Sequence, residues 1–307
     1  MIVESVVNIS AAVISASTPL LFASTGELVV ERSGVLNLGV EGMMLMGAVT
    51  GFAATVSTGN PILGIIAAAA AGAALALAFA VLTLTLMANQ VATGLALTIF
   101  GVGLSALLGS GFVGQPVSAL PKLNLPGLTD LPLVGPVLFG QDGLVYLSVL
   151  LTTATAWFLK RSRAGMMLRA IGESAESAHS LGLPVIRTRY LATLFGGAAA
   201  GLGGAFLSLS YTPMWMEGMT AGRGWLALAL VVFGSWRPWR VLAGAYLFGG
   251  VTILQLHAQG AFHLPAQIFS MLPYLATIAV LTIISAGPWR GRFTAPAGLG
   301  KPFRPPV

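Results

Sequence analysis

The chain has 307 residues, of which 56% are hydrophobic and only 8% charged. Soluble domains carry about a quarter of their residues as charge, so this composition specifies a polytopic membrane protein. The net charge of +6 comes without a basic stripe interleaved with aromatics, which excludes a nucleic-acid surface, and the absence of cysteine excludes disulfide and thiolate chemistry.

Nine apolar segments follow in chain order, at about 5–26, 35–57, 62–87, 91–112, 143–159, 190–212, 223–236, 241–257 and 267–286. A membrane-crossing helix needs roughly 20 residues. The expected fold class is therefore all-α, a polytopic transmembrane helical bundle of about nine segments, within a range of eight to ten. In the first segment, Val6–Ala23 is preceded by Glu4 and by no Lys or Arg. A secretory signal opens on positive charge, so this run is expected to be a retained first span.

The second segment contains Glu41, the one acid set well inside an apolar run. Carboxylates in a membrane are costly and are functional candidates by default. Arg32 stands close enough in sequence to neutralise Glu41, which favours anchoring near a gate over proton carriage. Asn37, Asn89 and Gln90 are polar residues near the same membrane face and either line a pathway or satisfy broken backbone. Ile62–Met87 holds 26 uncharged residues, about 39 Å as a helix and long enough to tilt. Gly101-Val-Gly103 imitates a dinucleotide turn, but it lies in mid-span with no preceding strand and reads as packing glycine.

Between the fourth and fifth segments, the loop 112–142 holds Pro116, Pro121, Pro126, Pro132 and Pro136. That density forbids a continuous helix and suits a rigid extracytoplasmic surface. The loop 160–189 is the charged island of the chain, with Lys160, Arg161, Arg163, Arg169, Arg187 and Arg189 against Glu173 and Glu176. Positive charge between spans marks the cytoplasmic side. Alternation from that loop puts the N-terminus outside and the C-terminus inside, with 13 of the 15 basic residues cytoplasmic and only Lys122 and Arg223 outside.

A short helix is expected at Glu173–Leu181. Glu173 and Glu176 fall in its first turn, Gly182 stops it, and Pro184 follows. Ala175, Ala178 and Leu181 form a small apolar face. A helix this short is marginal in water, so it packs either on its own membrane domain or on a partner.

In the next span, Gly196, Gly197, Ala200, Gly201 and Gly204 form rows of small residues, favoured as helix packing within one subunit over a subunit interface. Tyr211, Trp215 and Trp225 could stack on a cargo ring, although an interfacial aromatic belt explains them as well. Gly224–Trp236 has only 13 residues, too few to cross, and is expected to be a half-helix or re-entrant element. The tail 291–307 is expected to be irregular and cytoplasmic, leaving 1–290 as a single transmembrane domain.

No ATP-binding apparatus is visible. A P-loop needs G-x-x-x-x-G-K-[ST], whereas Gly300-Lys301 is followed by Pro302, and Ala295 occupies the first glycine position. His179, His257 and His263 are too scattered for a metal site, and paired acids for an intramembrane enzyme are missing.

Three stretches carry a resemblance. Arg169-Ala-Ile-Gly172-Glu-Ser-Ala-Glu176-Ser-Ala-His-Ser-Leu-Gly182-Leu-Pro resembles the cytoplasmic coupling motif of ABC importer permeases of the branched-chain amino acid, ribose and nucleoside type. Gly26-Glu27-Leu-Val-Val-Glu31-Arg32-Ser-Gly34-Val-Leu-Asn37-Leu-Gly39-Val-Glu41-Gly42-Met43 is similar to the start of the nucleoside and simple-sugar subgroup. Thr220-Ala-Gly-Arg223-Gly-Trp-Leu-Ala-Leu-Ala, followed by Phe233-Gly-Ser-Trp236, is the third. The resemblance covers roughly residues 20–290.

It implies a non-catalytic permease subunit of the bacterial inner membrane. Its coupling helix, comprising Gly172, Glu173, Ala175, Glu176, Ala178, His179, Leu181 and Gly182, would seat on an ABC ATPase subunit of double-cassette type. It further implies a second, paralogous permease and an extracytoplasmic substrate-binding lipoprotein. ATP and Mg would be bound by the ATPase and no cofactor by this chain. The expected cargo is a nucleoside, with a ribose-like simple sugar as the alternative. A reading of another class is a proton-coupled secondary transporter using Glu41.

Overall fold

The computed structural model describes residues 2–123, 126–129, 131, 134–261, 271–272, 275–279, 282 and 295–305. Among these it contains helices and isolated bridges but no strand, so the chain is an all-α polytopic bundle. Seven described helices are long and apolar enough to cross a membrane. The segment expected at 267–286 lies largely outside the described residues, as do His263, Arg290 and Arg292.

Helix α1 (Ile2–Arg32) continues through Pro19. Proline supplies no N–H to the helix ladder, and the hydroxyls of Ser17 and Thr18 bond back to the Val13 and Ile14 carbonyls at this point. Then follow α2 (Val40–Thr58), α3 (Pro61–Ala80), α4 (Gln90–Gly109) and α5 (Gly143–Arg161). Several starts are fixed by side-chain caps. Asn60 accepts the Ile62 amide ahead of Pro61, Asn89 accepts that of Ala92, and Asp142 accepts those of Leu144 and Val145. Each satisfies donors that the first helical turn leaves open.

After α5 come two short helices, α6 (Arg163–Glu173) and α7 (Ala175–Ser180), then α8 (Val185–Phe206), α9 (Arg223–Phe233) and α10 (Pro238–Ala261). Single π-helical turns extend α3 through Val81–Thr85 and α8 through Leu207–Tyr211.

Helices α2 and α8 form the centre of the bundle, each with 72% of its most apolar stretch buried, against 22% for α4. The small residues of α8 explain how it sits so deep. A methyl on Gly201 would meet the Ala68 carbonyl of α3, and one on Gly204 would meet the Met44 carbonyl of α2. Gly196 likewise lies against Gly26 and Val30 of α1. These rows pack inside the one chain, as small residues do where backbones approach closely. Gly101 packs on Gly42 in the same way. Polar side chains add cross-links between helices, with Ser208 donating to the Ala48 carbonyl at 2.9 Å and Thr25 bonded to Thr152 at 2.8 Å.

Candidate functional site

The chain between α8 and α10 is a discontinuous element. Residues 212–222 run without helix until α9 begins at Arg223, and α9 has only 11 residues. A helix N-terminus presents unpaired amides, and here Glu41, near the start of α2, receives them. Its Oε1 accepts from the Thr220 hydroxyl at 2.6 Å and the Gly222 amide at 2.8 Å, and its Oε2 accepts from the Gly224 amide at 2.6 Å. The carboxylate is 6% exposed and complements the positive end of the α9 dipole. The approach leaves no room for a side chain at Gly224, where a Cβ would lie 2.6 Å from the Glu41 backbone.

The other end of α9 turns through Ser235 and Trp236, both at positive φ, 51° and 53°. The Trp236 indole donates to Glu31 Oε2 at 2.5 Å. Arg32 donates twice to the Trp236 carbonyl, at 3.1 and 2.9 Å. Both ends of the half-helix are thus tied to residues flanking the break between α1 and α2.

That break, residues 33–39, is itself almost wholly buried. Buried loop backbone needs partners, and they are supplied from several sides. Glu27 accepts the Asn37 amide, Gln90 Oε1 accepts the Leu36 amide at 2.8 Å, Asn37 Oδ1 accepts the Gly39 amide at 2.9 Å, and Thr98 donates to the Leu38 carbonyl. The Nε2 of Gln90 is buried with no partner among the described residues.

At the same end of the bundle, Ser162 caps α6 by accepting the Gly165 amide, and Ser174 caps α7 by accepting that of Ser177. Ala178 of α7 is 3% exposed and packs with Ile171, Val185 and Phe303, whereas Leu181 just beyond the helix is 80% exposed. Glu176, Ser177 and Ser180 also face outward.

The family described as branched-chain amino acid transport system / permease component matches residues 9–281. This chain belongs to that family. It is therefore a multi-pass membrane permease and a non-catalytic component of an ABC transporter. TsgC13 of Haloferax volcanii, named as a candidate glucose ABC transporter permease, is 44% identical over 88% of this chain and 89% of that protein. The nucleoside ABC transporter permease NupC of Lactococcus lactis is 30% identical over 87% and 89%. The guanosine ABC transporter permease NupQ of Bacillus subtilis is 30% identical over 94% and 93%.

Several details of the permease differ from the sequence expectations. Glu41 is not the one acid buried in the bundle, because α1 runs on to Arg32 and encloses Glu27 and Glu31, 1% and 2% exposed. Arg32 bonds to the Trp236 carbonyl rather than to Glu41. The expected helix Glu173–Leu181 is two pieces. Glu173 ends α6, Ser174 breaks the chain at φ −150°, and α7 covers Ala175–Ser180. Its small face does not project outward as one surface, since Ala178 is turned inward and Leu181 outward.

Trp215 has no exposed surface and lies against Gly109, so it has no face to offer a ligand, whereas Trp225 is at the surface. Arg223 stands at the start of the short helix, as the expected segment 223–236 has it. It opens α9, bonded to the Met219 and Thr220 carbonyls and placed over the Tyr211 ring. Asn37, Asn89 and Gln90 each direct an oxygen at backbone amides.

Proposed function

We propose that this permease forms, with a second and paralogous permease, the path of an ATP-driven importer for a small hydroxyl-rich molecule. The observation that carries the reading is α7, a six-residue helix seated at the charged end of the bundle by Ala178, with its other side and the following Leu181 exposed. A helix so short is unstable without packing, and an outward surface of Glu176, Ser177, Ser180 and Leu181 is suited to a groove on an ABC ATPase subunit. ATP and Mg would be held there, on the partner. An extracytoplasmic binding lipoprotein would deliver cargo at the opposite end. The orientation we propose has the N-terminus outside, the C-terminus inside, and the 160–189 loop at the cytoplasmic face of the plasma membrane.

The cargo reading is supported by the relatives. The 44% identity to TsgC13 favours a simple sugar, and the 30% identity to NupC and NupQ supports a nucleoside as second reading. Glu41 serves this reading as an anchor. Both its oxygens already accept hydrogen bonds, which disfavours the role of a proton carrier.

Two measurements test the proposal. In the assembled transporter, competition between labelled glucose and labelled guanosine should show one class displacing the other, and transport of neither would defeat the cargo assignment. Single cysteines introduced as Ser5→Cys and Arg304→Cys should react with an impermeant reagent in intact cells at the first position only. The reverse pattern would overturn the orientation.

A further inference from the structure

We infer that residues 296–303 form a strap that positions α7 against the α1–α2 break, with Phe303 and Arg189 as its positioning residues. The inference rests on the importer reading above and deepens it. The segment has no helix, yet its contacts are many and specific. The Gly298 amide donates to the Gly172 carbonyl at 2.9 Å, the Ala297 amide to Glu173 Oε2 at 3.2 Å, and the Gly300 amide to the Gly34 carbonyl at 3.1 Å. One short stretch is therefore bonded both to the end of α6 and to the first residues of the break.

Arg189 closes the junction from inside. Its guanidinium is 2% exposed and donates to the Ser33 carbonyl and the Lys301 carbonyl, both at 3.2 Å. Burying a guanidinium is costly unless its donors are used; here Nε and Nη1 link segments far apart in sequence, while Nη2 has no partner among the described residues. The space is tight. A methyl on Gly172 would collide with the Arg32 carbonyl, and one on Gly298 with that of Gly172.

Phe303 is the strap's apolar end. It packs in a cluster with Ile171, Ala178 and Val185, and its ring meets the edge of His179 at 5.5 Å. The strap thus covers the buried side of α7 while leaving Leu181 free. From Gly34 the chain leads through the buried break to Glu41, which holds the start of α9. A shift of α7 driven from outside would pass through Phe303 and the Gly300–Gly34 bond into that loop. The strap also forms a wall of a groove of about 390 Å³ lined by His179, Pro184, Arg187, Phe303 and Pro305.

The test uses the complete transporter with Phe303→Ala, with Phe303→Leu, and with the chain ended after residue 294. Three quantities are read: capture of the ATPase subunit, ATP hydrolysis, and cargo moved per ATP. The strap predicts that Phe303→Ala and the truncation keep capture and hydrolysis. Cargo moved per ATP should fall roughly tenfold, the change that about 1.4 kcal/mol of lost positioning gives. Phe303→Leu should restore most of it.

Unchanged cargo per ATP in both Phe303→Ala and the truncated chain would overturn the strap while leaving the importer reading intact. Loss of ATPase capture, with normal coupling in whatever assembles, would also overturn it, because the tail would then be a docking wall. A wild-type chain that shows no ATP-dependent transport with its partners would defeat the importer reading and the strap together.

Discussion

At its N-terminus α9 is held by a carboxylate whose oxygens satisfy three donors, whereas at its C-terminus it is held by a turn with two successive residues in left-handed backbone. Glu41 takes the Thr220, Gly222 and Gly224 donors where the helix dipole is positive, so charge and geometry agree. Ser235 and Trp236 instead adopt left-handed φ values of 51° and 53°, a conformation that costs an L-residue roughly 1–2 kcal/mol. That cost is offset by the Glu31 and Arg32 bonds to Trp236. The difference teaches that the first end depends mainly on its acceptor and the second mainly on its backbone, so the two should respond differently to substitution. The first end holds one left-handed residue, Ala221 at φ 47°, and the second holds two in succession.

The largest expected effect comes from Glu41→Ala. It leaves two amides and a hydroxyl without an acceptor in a buried site, at about 1–3 kcal/mol per group. Stability of the purified permease should drop by on the order of 3 kcal/mol or more, read from its thermal melting. Glu41→Gln retains an oxygen for Thr220 and Gly222 but turns an NH₂ toward the Gly224 amide, so its loss should be smaller. Equal melting of wild type and Glu41→Ala would remove the anchor from the account.

Trp236→Phe should have an intermediate effect. The ring packing against Leu28, Val29 and Val241 is retained, while Glu31 loses its donor, a change of about 1–2 kcal/mol. Amide exchange should rise around residues 232–240 and stay as in wild type around 219–226. A rise at both ends together would erase the distinction between them.

The smallest effect, and the one of opposite sign, is expected from Ser235→Gly. Glycine accepts positive φ without cost, so stability should increase by about 0.5–1 kcal/mol. The Arg240 contact to the Ser235 hydroxyl at 3.3 Å is lost in this variant, which trims the gain. A clear destabilisation would mean that the turn carries no strain.

The half-helix was legible in the sequence because length alone decides it: an uncharged run of 13 residues cannot cross a membrane unaided. Its tethers were only half legible. Glu41 stood out as an acid in an apolar run, but its partners come from residues 220–224, and nothing in the spacing says so. Glu27 and Glu31 fell outside the expected first span because charge ends an apolar run on any hydropathy reading. The helix continues through them because protein, not lipid, surrounds that end, and Trp236 and the Asn37 amide supply donors.

The break before α7 was not legible in the sequence. Glu173 suits a first helical turn by charge, but Ser174 caps by geometry. For the tail, its Pro and Gly content foretold irregular backbone and gave no sign of docking. Leu299 and Phe303, set among glycine, proline and basic residues, were apolar signals there, and both pack against the bundle.

ATP-dependent uptake in liposomes tests the central claim most directly. Vesicles holding this permease alone are compared with vesicles that also hold the paralogous permease and the ATPase subunit, each with binding protein and labelled cargo outside and with or without ATP inside. Accumulation is predicted only in the complete assembly and only with ATP. Accumulation by this chain alone, in vesicles without ATP, would contradict the account.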